Sequence, residues 1–185
     1  MRLLCSVHNN YMKQNKKFWN KEYDKKGEHN LAISTKPSGD LVKFLHWLDK
    51  HEAKYGTDVY IGEGSYVYDI GCGNGRNMVY LAKEFGMTGS GFDISLEAIE
   101  SAREASEGLD LEYTAAEMDG TIPLPDNSVE LVLDMMASHF LDAEGREKLR
   151  QEVVRVLKPG GWLFYKTFST SKLAFVMVFF LIIPN

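Results

Sequence analysis

Three glycines at alternate positions, Gly71, Gly73 and Gly75, directly follow a short apolar segment that contains Asp69. Glycine loses more backbone entropy on ordering than any other residue, so three of them this close together indicate that another group packs against the main chain. Asp93 ends the next apolar segment, 20 positions beyond Gly73 (93 − 73). A carboxylate at that point can accept hydrogen bonds from both hydroxyls of a ribose. The pattern therefore predicts a binding site for a ligand that contains a nucleoside.

The spacing of the glycines distinguishes between two kinds of cofactor. The dinucleotide fingerprint is GxGxxG, in which the backbone approaches a pyrophosphate. Here Gly71, Gly73 and Gly75 are followed by Arg76, so the pattern is GxGxG. A pyrophosphate is therefore not the favoured ligand, and an NAD-dependent oxidoreductase is the less favoured alternative.

The segments around these residues alternate between strand and helix patterns. β-Branched and aromatic runs bounded by turn residues predict strands at 65–70, 89–94, 109–113, 129–136 and 162–168. Apolar residues at helical spacing predict helices at 40–55, at 77–85, from the Ser95 cap to about 107, and from Asp142 to the KPGG sequence at 158–161. The expected inward residues are Leu96, Ile99 and Ala102 on the third helix and Leu149, Val153, Val156 and Leu157 on the fourth. This order predicts an α/β fold, a doubly wound, mostly parallel sheet with helices on both faces and ligands at the carboxyl ends of its strands.

The composition indicates one soluble globular domain. The chain has 185 residues, of which 44% are hydrophobic and 25% charged, and a domain of that size can bury a full core. The net charge of −5 argues against a protein that binds nucleic acid over its whole surface. Lysines cluster in the N-terminal arm at positions 13, 16, 17, 21, 25 and 26. Such a run is typical of a solvated arm, but it leaves an RNA or acidic-protein acceptor open.

Neither the cysteines nor the apolar segments indicate secretion or membrane insertion. Cys5 and Cys72 are too few for a disulfide framework, and a reducing cytoplasm is the simplest setting. Segment 173–183 reads LAFVMVFFLII without a charge, but a bilayer-spanning helix needs about 17–25 apolar residues, so no membrane span is predicted. We interpret residues 1–36 as an N-terminal arm or helix and residues 37–185 as the ligand-binding domain.

Four stretches resemble successive motifs of one protein family. They read VYDIGCGNGRN, GFDIS, PLPDNSVELVLDMMASHF and VLKPGGWLFYKTF, and they span about residues 65–168. In this order they resemble the class I S-adenosylmethionine-dependent methyltransferases, in the broad group that acts on small molecules. The resemblance implies a Rossmann-like fold, S-adenosylmethionine as the cofactor and a small-molecule acceptor, and no metal site is predicted.

The resemblance also implies roles for individual residues. The methionine part of the cofactor would contact Asp69 and the turn made by Gly71, Cys72, Gly73, Asn74 and Gly75. Asp93, followed by Ile94, would hold the ribose, and Met135 would line the pocket. The adenine would face the loop made by Ala116, Glu117 and Met118.

Three assignments stay open between two interpretations. The family often has an acid just before the alanine of the adenine loop, and this chain does not, so either Glu117 or Asp119 contacts the adenine or Glu117 is an ordinary exposed acid. His139 is a candidate general base, because its pKa suits proton transfer near neutrality, or else a structural or substrate-lining residue. Trp19 and Tyr23 either close over the bound molecules or anchor the N-terminal arm.

The resemblance stops after the fifth strand. Family members usually continue with a helix and two further strands, whereas 17 residues remain here (185 − 168). We expect 169–172 to turn and 173–183 to return as an antiparallel strand that covers the sheet edge; a short helix or an unpaired tail are the alternatives. This shortened C-terminal part makes a non-catalytic or partner-dependent S-adenosylmethionine-binding protein the main alternative to a methyltransferase.

Overall fold

A central sheet is flanked by helices. The computed structural model describes residues 14–24, 34–55, 59–168 and 175–176. Its helices are α1 (residues 14–23), α2 (Gly39–Tyr55), α3 (Arg76–Phe85), α4 (Leu96–Ala105) and α5 (Ala143–Val156), and a short 3-10 turn spans Ser138–Phe140. Its strands are β1 (Tyr66–Ile70), β2 (Thr88–Asp93), β3 (Leu111–Ala115), β4 (Val129–Met135), β5 (Leu157–Phe168) and β6 (Phe175–Val176). Among these helices, none combines the length and the apolar content needed to cross a bilayer.

The strand order is β3-β2-β1-β4-β5-β6, and the first five strands are parallel. From β1 the chain winds outward to β2 and β3, and then it crosses back to β4 and β5 on the other side of β1. The winding therefore reverses between β1 and β4, which is where a doubly wound sheet binds its ligand. The predicted fold class is confirmed.

Two residues of the C-terminal segment, Phe175 and Val176, pair with the edge of the sheet. β6 pairs antiparallel with the end of β5, where Thr167 faces Val176. This pairing agrees with the expected return for the two residues that the structure describes there. The predicted turn at 169–172 and the rest of the predicted strand lie outside the described residues, as do Cys5 and residues 1–13 and 25–33 of the predicted arm.

Alternation along β1 divides the core between the two faces of the sheet. Val67 packs on one face with α2, α3 and α4, whose apolar stripes include Leu41, Leu81 and Ile99. Ile70 packs on the other face, against the apolar stripe of α5. Because successive side chains of a strand point to opposite faces, this one short strand is held from both sides, and the turn after it has a defined position.

Two predictions for the middle of the chain were wrong in detail. β3 begins two residues later than predicted, because Leu109 is still part of the turn after α4 and donates its N–H to the Ser106 carbonyl oxygen. Leu96, predicted to point inward, is 47% exposed. The buried stripe of α4 runs instead through residues such as Ala98 and Ala102, and Leu96 lies on the side of the helix away from that stripe.

The fourth predicted helix ends earlier than expected. α5 stops at Val156, and Leu157 is the first residue of β5, opposite Val129. Pro159 gives the physical reason, because a proline disfavours the helical conformation at the residue before it, here Lys158. The KPGG sequence therefore lies within β5 rather than at a helix end. Leu157 is buried as predicted, but it enters the core from a strand.

Gly89 on β2 allows a test of the close strand packing. A Cβ added there would overlap the carbonyl oxygen of Val67 on the adjacent strand, where the backbone cannot move without breaking the ladder. We expect Gly89→Ala to lower the free energy of unfolding by about 1–3 kcal/mol, measured by urea denaturation. Gly39→Ala is the matched control, because a Cβ there would meet no atom within 4 Å; it should leave stability unchanged or raise it by up to about 1 kcal/mol. Equal stabilities of the two variants would contradict the packing argument.

Candidate functional site

A hollow opens at the carboxyl ends of β1, β2 and β4, where the winding of the sheet reverses. Its empty volume is about 690 Å³, part of it open to solvent, which is within the range of small-molecule sites. Six of the residues predicted to bind the cofactor line it, namely Gly71, Asp93, Ile94, Ala116, Met118 and Met135. The topology therefore brings together residues that are spread over more than sixty positions of the chain.

Asp93 connects two of the strand ends that form the hollow. Its Oδ2 accepts a hydrogen bond from the Gly73 N–H at 3.0 Å, and its Oδ1 accepts one from the Ser95 N–H at 2.9 Å. Burial raises the pKa of Asp93, while these N–H donors act in the opposite direction. A carboxylate has about four acceptor positions, and Asp93 lines the hollow, so it can also accept a hydrogen bond from a ligand hydroxyl.

The three glycines of the turn have left-handed backbone, with φ of 70°, 55° and 72° in chain order, a region that other residues disfavour. Protein side chains also occupy the space where a Cβ would stand. At Gly71 it would lie 2.6 Å from the Cβ of Ala137, and at Gly73 it would overlap the hydroxyl oxygen of Tyr23. Gly75 is enclosed in the same way by side chains of α4 and β3. Packing within the protein therefore requires glycine at these three positions. Of the three, Gly71 lines the hollow.

Asp69, near the end of β1, is 1% exposed. Its Oδ2 has no hydrogen-bond partner among the described residues. Burial raises the pKa of Asp69 well above its usual range, the carboxylates of Asp93 and Asp134 raise it further, and Arg76 opposes the shift. A buried acceptor without a partner is costly. Asp69 does not itself line the hollow, so its carboxyl group adds an electrostatic cost close to the site, which a positively charged ligand would lower.

The loop after β3 presents alternate residues to the hollow. Ala116 and Met118 line it, whereas Glu117 and Asp119 are among the residues that line a separate surface groove. Glu117 is exposed, and a hydrogen bond from the side chain of Thr121 lowers the pKa of Asp119. Neither acid lines the hollow, so the part of its wall that this loop forms is apolar.

Four other predicted residues, Asp69, Cys72, Asn74 and His139, are not among those that line the hollow. The Cys72 side chain is buried in the core, where burial raises the pKa of the thiol. The Asn74 amide donates a hydrogen bond to the Ser34 carbonyl oxygen at 3.1 Å, which joins the turn to the segment before α2. His139 lies on the 3-10 turn with its ring centroid 4.1 Å from that of Phe140, and burial lowers its pKa. Cys72 and Asn74 thus support the turn, and His139 adjoins the wall that Phe140 forms.

One face of α1 covers the hollow. Asn15, Trp19 and Tyr23, spaced four residues apart, all line it, because side chains at i and i+4 share a face of a helix. The Trp19 ring meets Phe140 edge-on, with ring centroids 5.9 Å apart. Asn15 Nδ2 has no hydrogen-bond partner within the described part of the chain. These contacts place Trp19 and Tyr23 over the site and anchor the helix there at the same time.

Sequence reasoning missed five lining residues, namely Asn15, Phe92, Met136, Ala137 and Phe140. The four-residue spacing from Trp19 could have found Asn15. Met136 has a positive φ of 70°, which no sequence pattern indicates, because methionine rarely adopts that conformation. The path after β4 depends on Asp134, whose Oδ1 accepts hydrogen bonds from the N–H groups of Ala137 and Ser138 at 3.3 and 3.1 Å.

The fold and the site agree with a known family. Residues 67–161 match a family model described as a methyltransferase domain. The chain belongs to the class I S-adenosylmethionine-dependent methyltransferases.

Relatives and solved structures show similar regions. The chain is 33% identical over 136 residues to the fatty-acid O-methyltransferase of Mycolicibacterium smegmatis, over 73% of this chain and 47% of the relative. It is 31% identical over 156 residues to phthiotriol/phenolphthiotriol dimycocerosates methyltransferase 1 of Mycobacterium ulcerans, over 83% of this chain and 53% of the relative. The chain thus spans about half the length of the curated relatives it matches. The geranyl diphosphate C-methyltransferase of Streptomyces coelicolor aligns with a TM-score of 0.57 and 22% identity, over 85% of this chain and 64% of that chain, which shows a shared fold.

Asp69 allows a test of the electrostatic cost of the site. Because burial raises its pKa in the folded state, its carboxyl group destabilises the fold increasingly as the pH rises from its ordinary pKa toward the raised one. We expect Asp69→Asn to raise the free energy of unfolding by about 1–3 kcal/mol at about pH 8, and by less at about pH 4. Urea denaturation at the two pH values measures the difference.

Glu117→Gln is the matched control for this experiment. Glu117 is exposed, so its conversion to an amide should change stability by no more than about 0.5 kcal/mol at either pH. If Asp69→Asn raises the free energy of unfolding equally at both pH values, or does not raise it at all, the buried carboxylate does not destabilise the fold.

Proposed function

We propose that this chain binds S-adenosylmethionine in the hollow and transfers its methyl group to a small apolar acceptor. The observation that carries the proposal is the arrangement at the strand ends, where Asp93 holds the Gly73 N–H while the nearby Asp69 has an unpartnered oxygen. Membership of the family supports the same cofactor.

The groups of the site fit the parts of this cofactor. Asp93 would accept hydrogen bonds from the ribose hydroxyls. Asp69 and the glycine turn would hold the methionine part, whose positive ammonium group would offset the buried negative charge of Asp69. Ala116 and Met118 would pack against the adenine, with Met135 beside them on the wall. The positive charge of the ammonium and sulfonium groups matches the buried acids.

The residues around the hollow would position the acceptor and exclude water. When bound, S-adenosylmethionine supplies an activated methyl group, so the chain has little covalent chemistry to perform. Trp19, Tyr23 and Phe140 enclose one side of the hollow and would hold an acceptor at near-attack distance. Burial raises the pKa of Tyr23, so its hydroxyl stays protonated near neutrality. Burial lowers the pKa of His139, so its ring is neutral there, and we propose it as the base that takes a proton from the acceptor.

The lining of the hollow favours an apolar acceptor. Asp93 is the one charged side chain among its described lining residues, and Met118, Met135, Met136 and Phe140 are apolar. A phosphorylated acceptor would meet no cation there. One relative is named as acting on a fatty acid and another on phthiotriol and phenolphthiotriol dimycocerosates. We therefore propose an apolar small molecule with a hydroxyl or carboxyl group as the acceptor.

Calorimetry with S-adenosylhomocysteine tests the cofactor assignment. We expect Asp93→Asn to weaken binding at least about 10-fold, because an amide keeps only one acceptor oxygen for the two ribose hydroxyls. Glu117→Gln, which changes an exposed acid in the same way, should bind within about twofold of the wild type. Unaltered affinity in Asp93→Asn would refute the ribose assignment.

Turnover tests the proposed base. With a panel of fatty acids and apolar alcohols, release of S-adenosylhomocysteine should show turnover by the wild type and a kcat about 100-fold lower in His139→Gln, with unchanged affinity for S-adenosylhomocysteine. An unchanged kcat in His139→Gln would make this histidine a structural residue. Cofactor binding without turnover of any acceptor would instead support a cofactor-binding protein that lacks catalysis.

A further inference from the structure

The two faces of α1 differ in chemistry. One face covers the hollow. The opposite stripe contains exposed residues at i, i+3, i+4 and i+7, which lie together on a helix surface. Together they form the outer face of α1, made of Gln14, Lys17, Phe18 and Lys21.

Phe18 is the apolar residue of this outer face. Its side chain is 55% exposed. In the described part of the chain, the other exposed large hydrophobic residues are Tyr60 and Leu96. Its ring packs edge-on against Trp19, with ring centroids 5.1 Å apart. Lysines precede it by one residue and follow it by three. An aromatic ring flanked by lysines is typical of a helix that lies at the headgroup boundary of a lipid surface.

The charge of the outer face is opposite to that of the chain as a whole. The chain has a net charge of −5, yet the four residues of the outer face include two exposed lysines and no acid. Glu22 is half-buried, and Asp24 follows the end of the helix. An anionic surface would attract the outer face, whereas the net negative charge of the chain opposes other approaches, so the molecule would approach it with α1 first.

We propose that the outer face of α1 docks on an anionic lipid surface. The lysines lie among the phosphate headgroups, and Phe18 inserts beneath them. Because the other face of α1 forms a wall of the hollow, docking brings the hollow next to the bilayer, from which an apolar acceptor can enter without crossing bulk water. This consequence for the acceptor rests on the proposed function, whereas the docking itself does not.

Co-sedimentation with vesicles tests the docking, with the full chain and without cofactor. We expect binding to mixed phosphatidylglycerol and phosphatidylcholine vesicles, at least about 10-fold weaker binding to phosphatidylcholine alone, and loss of binding at about 0.5 M salt. The double variant Lys17→Glu/Phe18→Ser should reduce partitioning at least about 10-fold. Lys17→Glu/Lys21→Glu keeps Phe18 and its contact with Trp19, and it should show a loss of similar size.

Lys50→Glu/Tyr60→Ser is the matched control. It reverses the charge at one lysine and removes one exposed aromatic residue. Lys50 lies toward the end of α2, and Tyr60 lies before β1, at the amino end of the strands. It should bind vesicles like the wild type. An equal loss in the control, equal binding to both kinds of vesicle, no binding, or retention on RNA in place of vesicles would overturn the proposal. Affinity for S-adenosylhomocysteine, measured on the same variants, should stay unchanged, which separates failure of docking from failure of the cofactor site.

Discussion

The hydrogen bond from the Gly73 N–H to Asp93 is the interaction on which the rest of the site depends. It can form because β1 and β2 are adjacent and parallel, so that their carboxyl ends reach the same edge of the sheet. The Cys72 N–H extends this pairing past the end of β1, since it donates to the Phe92 carbonyl oxygen at 2.9 Å. The glycine turn is therefore a continuation of the sheet, and its conformation follows from strand pairing within the protein.

The same edge concentrates buried negative charge. Asp69, Asp93 and Asp134 lie at or near the ends of three neighbouring strands, and burial is the main cause that raises the pKa of each. Backbone N–H groups donate hydrogen bonds to Asp93 and Asp134 and so offset the cost of burying them. Asp69 keeps an oxygen without a partner within the described structure. The free protein thus holds a destabilising carboxylate at the site, and a cationic ligand that binds only the folded state would recover that stability.

The N-terminal helix belongs to the site although it lies in the predicted arm. Tyr23 covers the turn at Gly73, which is one reason why only glycine fits there. The segment between α1 and α2 also contacts the domain. Asn74 donates a hydrogen bond to the Ser34 carbonyl oxygen, and the Asn77 side chain accepts one from the Ser38 N–H at 2.9 Å. The boundary that we predicted at residue 36 divides the arm from the domain, but these contacts join the two around the hollow.

The sequence by itself determined the order of strands and helices along the chain and the place of Asp93 at a strand end, because each follows from a local pattern of apolar spacing, turn residues and a carboxylate. Only the tertiary structure decided that Gly73 packs against a tyrosine, that Glu117 lies outside the hollow, and that Asn15 lines it. Those outcomes depend on contacts between distant residues and on which of two faces a side chain takes. In a strand or an extended loop, a shift of one residue moves each side chain to the opposite face. The face that is adopted depends on distant residues that pack there, and a local sequence pattern does not identify those residues.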